Sequence, residues 1–66
     1  MYPKPVTLQV ENKTTLREFI AELGEDTLYA YDRRVIGVIV NSKRKWDSAR
    51  VKPGDIVTIY PIIVGG

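Results

Sequence analysis

A single helical pattern interrupts an otherwise strand-like sequence, and it constrains the fold more than any other feature. Thr15 followed by Glu18 is a capping-box pattern at its start, and Gly24 supplies a C-terminal stop. The apolar residues between these signals recur at helical spacing and are Leu16, Phe19, Ile20 and Leu23. In a chain of 66 residues, one such helix buries its apolar face most economically against a sheet.

Strand-like segments flank this helix on both sides. Residues 6–10 alternate apolar and polar with period two, and residues 35–40 are β-branched on both faces, which is typical of a strand with little solvent on either side. Residues 43–46 suit a short strand, and residues 56–60 suit the last strand. Residues 25–34 show no clean period and are predicted to be a loop or a short turn.

Turn residues separate these segments. Asn41-Ser42 has the chemistry of a tight turn, and residues 52–55 place Pro53 and Gly54 at the centre of a type II turn. Gly37 lies inside a predicted strand and indicates a bulge or a close approach to the backbone.

The order of these elements predicts an α+β fold with one helix packed on a mixed sheet, the general shape of a β-grasp domain. We expect residues 1–66 to form a single domain with an extended C-terminal tail over about residues 61–66. Pro61 is expected to end the last strand because it lacks a backbone donor.

The composition excludes several classes of active site. Cysteine and histidine do not occur, which removes thiolate nucleophiles, imidazole bases and the usual zinc ligands. No aspartate has the neighbours of an acid/base pair or of a metal site, so we expect a protein that is not an enzyme and binds no cofactor itself. The longest apolar run, residues 35–40, is far too short to span a membrane, and we expect a soluble, cytoplasmic protein without a membrane partner.

The C-terminus is the strongest candidate for a functional group. Gly65-Gly66 has no side chains, and such an end can enter a narrow channel and present its carboxylate to another enzyme. A carboxylate is a poor electrophile, but joining it to AMP creates a good leaving group that a sulfur nucleophile can replace. The residues predicted to thread into the activating enzyme are Ile62, Ile63, Val64 and Gly65.

Basic residues concentrate in the second half of the chain. Residues 33–66 carry seven cationic and two anionic side chains, whereas residues 1–32 carry three and six. This basic surface is either an ordinary solvated face, a docking surface for an acidic partner or a nucleic-acid surface, and no binding motif supports the last. Arg44, Trp46 and Arg50 are the candidate docking residues, with Trp46 either a docking anchor or a core residue.

A set of motifs between Thr14 and Gly66 points to one family. Its most specific part is Gly54-Asp55, followed by alternating apolar residues and then by Gly65-Gly66 at the end. The other matching features are the capped helix of residues 15–20, the strand and turn of residues 38–41, and Trp46 followed by Val51. This set resembles the ThiS sulfur-carrier family, small ubiquitin-like proteins that donate sulfur for the thiazole of thiamine.

The resemblance implies a β-grasp fold and a reaction at Gly66. A ThiF-like enzyme would adenylate Gly66 with ATP and Mg²⁺ that it binds itself, sulfur from a cysteine desulfurase would convert the adenylate to a thiocarboxylate, and thiazole synthase would receive the sulfur. Two alternatives stay open, because activation begins in the same way. They are a MoaD-like carrier for molybdopterin and a ubiquitin-like modifier that is joined to lysines of other proteins.

The N-terminus departs from the family pattern. Family members open with a strand that pairs with the next one as a hairpin, whereas Tyr2-Pro3-Lys4-Pro5 cannot form a normal ladder. We therefore expect the N-terminal hairpin to be shortened or missing. The resulting open sheet edge could be occupied by a partner or by a second copy in a homodimer.

Overall fold

The computed structural model describes residues 4–62, which form two helices and six strands. The helices are α1 (Leu16–Glu22) and α2 (Glu25–Asp32). The strands are β1 (Val6–Gln9), β2 (Thr14–Thr15), β3 (Ile36–Val40), β4 (Lys43–Arg44), β5 (Arg50–Val51) and β6 (Ile56–Pro61). No helix within residues 4–62 has the length and apolarity to cross a membrane.

Four strands form one sheet in the order β1-β6-β3-β4, so the last strand is central. β2 and β5 form a separate two-stranded ladder beside the start of α1. The helices pack on one face of the larger sheet, and this is the α+β β-grasp fold that the sequence predicts.

The core lies between that face of the sheet and α1. Leu16 and Ile20 of α1 are fully buried, while Phe19 is half-buried and Leu23 is 37% exposed. Alternate residues of the central strands meet them, because successive strand side chains point to opposite faces. The buried sheet residues are Ile36, Val38, Val40, Val57 and Ile59.

The predicted capping box is present at the start of α1. The Thr15 hydroxyl accepts a hydrogen bond from the Glu18 N–H at 3.2 Å, and the Glu18 carboxylate accepts from the Thr15 N–H at 3.4 Å. Hydrogen bonds from Thr15, first from its side chain, lower the pKa of Glu18. This reciprocal pair fixes the start of α1.

Helix α2 corrects the prediction of a loop or short turn over residues 25–34. Its residues turned toward the core are Thr27, Leu28, Ala30 and Tyr31, of which only Leu28 is a large aliphatic residue. The helical period was therefore weak in the sequence, and packing on the core decides the structure. Gly24, at φ 132°, lets the chain change direction between the two helices.

The direction of the strands corrects the prediction of a mixed sheet. All strand pairs recorded within residues 4–62 are antiparallel. A mixed sheet needs at least one parallel pair of strands. In the described chain, β1 is the only strand that precedes β2 and α1. β1 lies directly beside β6 and runs antiparallel to it. Its direction is set by the chain that follows, because the end of β1 has to connect to the start of β2 and α1.

Pro61 also differs from its prediction, because it belongs to β6 instead of ending the ladder. Pro61 pairs with Ile36, and the Ile62 N–H donates to the Val35 carbonyl at 2.9 Å. The backbone nitrogen of Pro61, which has no hydrogen to donate, faces the β1 side of the strand. It lies beyond the last residue pair of β1 and β6, which is Val6 with Ile59. No ladder hydrogen bond is therefore lost to β3.

The N-terminal hairpin is missing from the described chain, as the sequence predicts. Among residues 4–62, β1 pairs only with β6 and forms one edge of the sheet. Residues 1–3 lie outside the described residues.

Candidate functional site

The predicted tail begins at the end of the central strand. Ile62 is hydrogen-bonded to Val35 and is 39% exposed. Of the residues predicted to thread into the activating enzyme, Ile62 is described, whereas Ile63, Val64 and Gly65, like Gly66, lie outside the described residues. The described chain therefore ends directly after a strand whose last residues are paired with the β3 side.

A groove of about 360 Å³ lies beside this exit point. We call it the β3 groove, and it follows the part of β3, Ile36 to Val38, that β4 does not pair with. Ile62 contributes to its wall. Its other principal residues are Tyr31, Arg34, Arg44, Lys45, Trp46 and Tyr60.

Two of the three predicted docking residues meet in the β3 groove. Arg44 and Trp46 line it, and Trp46 is 83% exposed, which excludes a role in the core. Arg50 lies elsewhere, in β5 opposite Thr15 near the start of α1. An exposed Trp beside a cation is a common anchor in protein interfaces.

The charge of the groove is positive because its carboxylates are already paired. Arg17 donates to both oxygens of Asp32, at 2.8 and 2.9 Å, and to Asp47 at 3.3 Å. Hydrogen bonding from Arg17 lowers the pKa of Asp32. No salt bridge within residues 4–62 involves the three groove cations, Arg34, Arg44 and Lys45. They present an electrostatic surface for an acidic partner.

Tyr60 and Gly37 form the floor of the groove where β6 and β3 pair. A Cβ on Gly37 would clash with Cζ of Tyr60, so only glycine accepts the ring in this position. The close approach predicted at Gly37 is therefore confirmed. Burial raises the pKa of Tyr31, whose hydroxyl stays protonated at neutral pH on the opposite wall.

Asp55 has a structural role, because its side chain stabilises the turn of residues 52–55. Its carboxylate accepts hydrogen bonds from the Lys52 N–H at 3.0 Å and from the Asn41 side-chain amide at 3.1 Å. Hydrogen bonding, first from the Lys52 N–H and then from Asn41, lowers its pKa. No cluster of three or more acidic side chains that could hold a metal ion occurs in the described part of the chain.

Four residues of the groove were not among the predicted site residues, namely Tyr31, Arg34, Lys45 and Tyr60. The two cations belong to the predicted basic cluster, but nothing local separates them from Arg50 or Lys52, which lie outside the groove. The strand glycine Gly37 was the one available signal, since it indicated that a bulky group lies close by.

Comparison with known proteins identifies the family. The ThiS family matches residues 3–66, which is nearly the whole chain. No curated protein and no solved structure gives a significant match. Members of this family are small carrier proteins and not enzymes, and they interact with adenylating ThiF-like enzymes and with sulfur-transfer partners. The fold and the extent of the match therefore show that the chain belongs to the ThiS family of ubiquitin-like sulfur-carrier proteins.

Proposed function

We propose that this protein carries sulfur as a thiocarboxylate on Gly66 and supplies it for the thiazole of thiamine. The observation that carries the proposal is the family match over residues 3–66, which includes the terminal Gly65-Gly66. The position of Ile62 at the end of the central strand, beside a basic groove, supports it.

Activation takes place in the active site of a ThiF-like partner. A carboxylate oxygen of Gly66 attacks the α-phosphate of ATP, pyrophosphate leaves, and an acyl adenylate forms. A sulfur nucleophile then attacks the carbonyl carbon, and AMP leaves with one former carboxylate oxygen. The partner supplies ATP, Mg²⁺ and the phosphate contacts, whereas this chain supplies only the terminus and a docking surface.

The β3 groove is the proposed docking surface for the activating enzyme. Its free cations attract an acidic partner, and the exposed Trp46 supplies apolar contact area. Ile62 lies in the same wall, so docking there would bring Ile63 to Gly66 toward the nucleotide site. Two glycines at the end suit a narrow channel, because they have no Cβ.

Sulfur transfer completes the proposed cycle. A cysteine desulfurase supplies the sulfur as a persulfide, whose attack on the adenylate expels AMP and forms an acyl disulfide. A thiol of the partner proteins then attacks the outer sulfur, which releases the thiocarboxylate and leaves a disulfide on the partners. Thiazole synthase accepts the sulfur from Gly66. A MoaD-like role in molybdopterin synthesis and a ubiquitin-like role in lysine modification begin with the same adenylate. They differ from the proposal only in the fate of the activated terminus.

Intact-mass spectrometry tests the proposal. The protein is incubated with ATP, Mg²⁺, a ThiF-like enzyme and sodium sulfide as the sulfur nucleophile, and we expect the mass change of one oxygen replaced by one sulfur. Adding thiazole synthase and its substrates should return the carboxylate form. Isopeptide conjugates would favour the modifier, transfer only to a molybdopterin precursor would favour the MoaD-like role, and an unchanged mass would reject all three.

A further inference from the structure

The outer side of β1 has no strand partner among residues 4–62. Val10 faces β6, because its N–H donates to the Asp55 carbonyl at 2.9 Å and its carbonyl accepts from the Gly54 N–H at 3.0 Å. Backbone groups of an antiparallel strand alternate between its two sides. The N–H and C=O groups of Thr7 and Gln9 therefore point away from β6 and are available to another strand.

A groove of about 360 Å³ lies next to this free edge, between β1 and α1. We call it the β1 groove. Its apolar surface comes from Leu8 and Phe19, which are half-buried, and from the 37% exposed Leu23. A strand added to β1 would cover these side chains while extending the sheet, so hydrogen bonding and apolar burial favour the same occupant.

The charges along β1 select the occupant. Lys4 precedes the strand, whereas Glu11 follows it and lines the groove together with Glu22, so the edge is positive at one end and negative at the other. When two such edges pair antiparallel about a twofold axis, the positive end of each edge lies beside the negative end of the other. An identical strand is thus electrostatically complementary to this edge.

We infer that β1 pairs with β1 of a second copy, joining the two four-stranded sheets into one continuous sheet in a homodimer. The register that uses every free group of Thr7 and Gln9 places Thr7 of one copy opposite Gln9 of the other. Leu8 then lies on the twofold axis opposite its counterpart, and Pro5, which lacks an N–H, ends the ladder.

The β3 groove does not suit a second copy. Its free side chains are cationic, so two such grooves facing each other would repel. Pairing through β1 also leaves Ile62 and the tail exit accessible, since they lie at β3 and not at β1. The dimer is therefore compatible with activation at the terminus and does not depend on it.

Backbone amide exchange measured by NMR on the unaltered protein tests the inference. The interface is short, so we expect a weak dimer that forms between about 10 μM and 1 mM. Over this range the amides of Thr7 and Gln9 should become protected, while those of Ile36 and Val38 at the open part of β3 should not. Sedimentation equilibrium on the same samples should show a shift from monomer to dimer.

Two variants at one position separate backbone pairing from side-chain effects. Thr7→Pro removes an outward N–H from each copy and should weaken dimerisation by about tenfold or more, because two intermolecular hydrogen bonds are lost. Thr7→Val keeps the N–H and the β-branched shape, and it should dimerise like the unaltered protein.

Three results would overturn the inference. They are a monomer at the highest concentration, a dimer that protects Ile36 and Val38 instead of Thr7 and Gln9, and equal dimerisation of the two Thr7 variants. Should Thr7→Pro fail to fold, the exchange experiment on the unaltered protein decides alone.

Discussion

The two open stretches of the sheet, at β1 and at β3, differ in chemistry although both offer free backbone groups beside a groove. The β1 edge carries opposite charges at its two ends and borders the apolar side chains of Leu8, Phe19 and Leu23. The β3 edge borders three free cations and an exposed Trp. Unpaired strand edges can pair with other strands in general, and the side chains around an edge determine which partner it binds.

Because of this difference, the proposed dimerisation and the proposed docking of the activating enzyme use different edges of the sheet. The β1 edge is complementary to itself, and the β3 groove is complementary to an acidic protein. Ile62 lies at the second of these and not at the first, so the last described residue does not border the proposed dimer edge. Changes at one edge should therefore leave the function of the other intact.

Deletion of Gly66 should have the largest effect, a complete loss of thiocarboxylate formation. The remaining Gly65 carboxylate would stop one residue short of the nucleotide site of the activating enzyme. Intact-mass spectrometry after incubation with the ThiF-like enzyme, ATP and sulfide measures the product. Dimerisation through β1 should not change, and sulfur transfer by the shortened chain would contradict the proposal.

Charge reversal in the β3 groove should have the next largest effect. Arg44→Glu is expected to slow adenylation by about tenfold at low salt, because rim charges act mainly on association rates. Arg50→Glu makes the same charge change at β5, outside the groove, and is the matched control. The initial rate of pyrophosphate release measures both, and equal slowing by the two variants would remove the groove as the docking surface.

Loss of the Asp55 carboxylate should change how the free energy of unfolding depends on pH, and it should affect both edges of the sheet. Asp55 accepts from Lys52 and Asn41, and these bonds hold its pKa below the usual range. A lowered folded pKa contributes stability above the unfolded pKa of about 4, and that stability is lost as the pH falls through the folded value.

Asp55→Asn should therefore lower the free energy of unfolding at neutral pH and flatten its decline between about pH 5 and pH 2. Urea unfolding followed by circular dichroism across this range measures the difference. The N–H of Val10, directly after β1, donates to the Asp55 backbone carbonyl, and the Asn41 side-chain amide beside β3 donates to the Asp55 carboxylate. A loosened turn at Asp55 should therefore lower amide protection at both edges. A parallel pH profile in the two proteins would refute this role.

Gly37→Ala should have the smallest effect, about 1 kcal/mol of lost stability. The new methyl group would meet the end of the Tyr60 side chain, which can swing away at the expense of its packing. Tyr60→Ala alone also loses that packing, and adding Gly37→Ala to it should cost much less than in the unaltered protein. Additive losses in this double-mutant cycle would show that the two residues do not interact.

Local signals predicted those parts of the fold that short-range bonds determine. The capping box of Thr15 and Glu18 marks the start of α1, and the positive φ values of Asn41 and Gly54 agree with the predicted turns. Helix α2 was not predicted, because the residues that it packs against the core include Thr27 and Tyr31, whose apolar character is weak. The exposure of Trp46 could not be predicted either, since it depends on neighbours distant in sequence.

The sequence by itself determined the capped helix, the turns, the lack of cysteine and histidine among residues 1–66, and the glycines at positions 65 and 66. Each of these depends on residues close together in the chain or on residue types alone. The tertiary structure decided which cations gather around Trp46, since Arg34 and Arg44 meet only when α2 and β4 pack against β3. It also decided that β1 lies antiparallel to β6 at an open edge, because strand pairing is a long-range choice that no local pattern encodes.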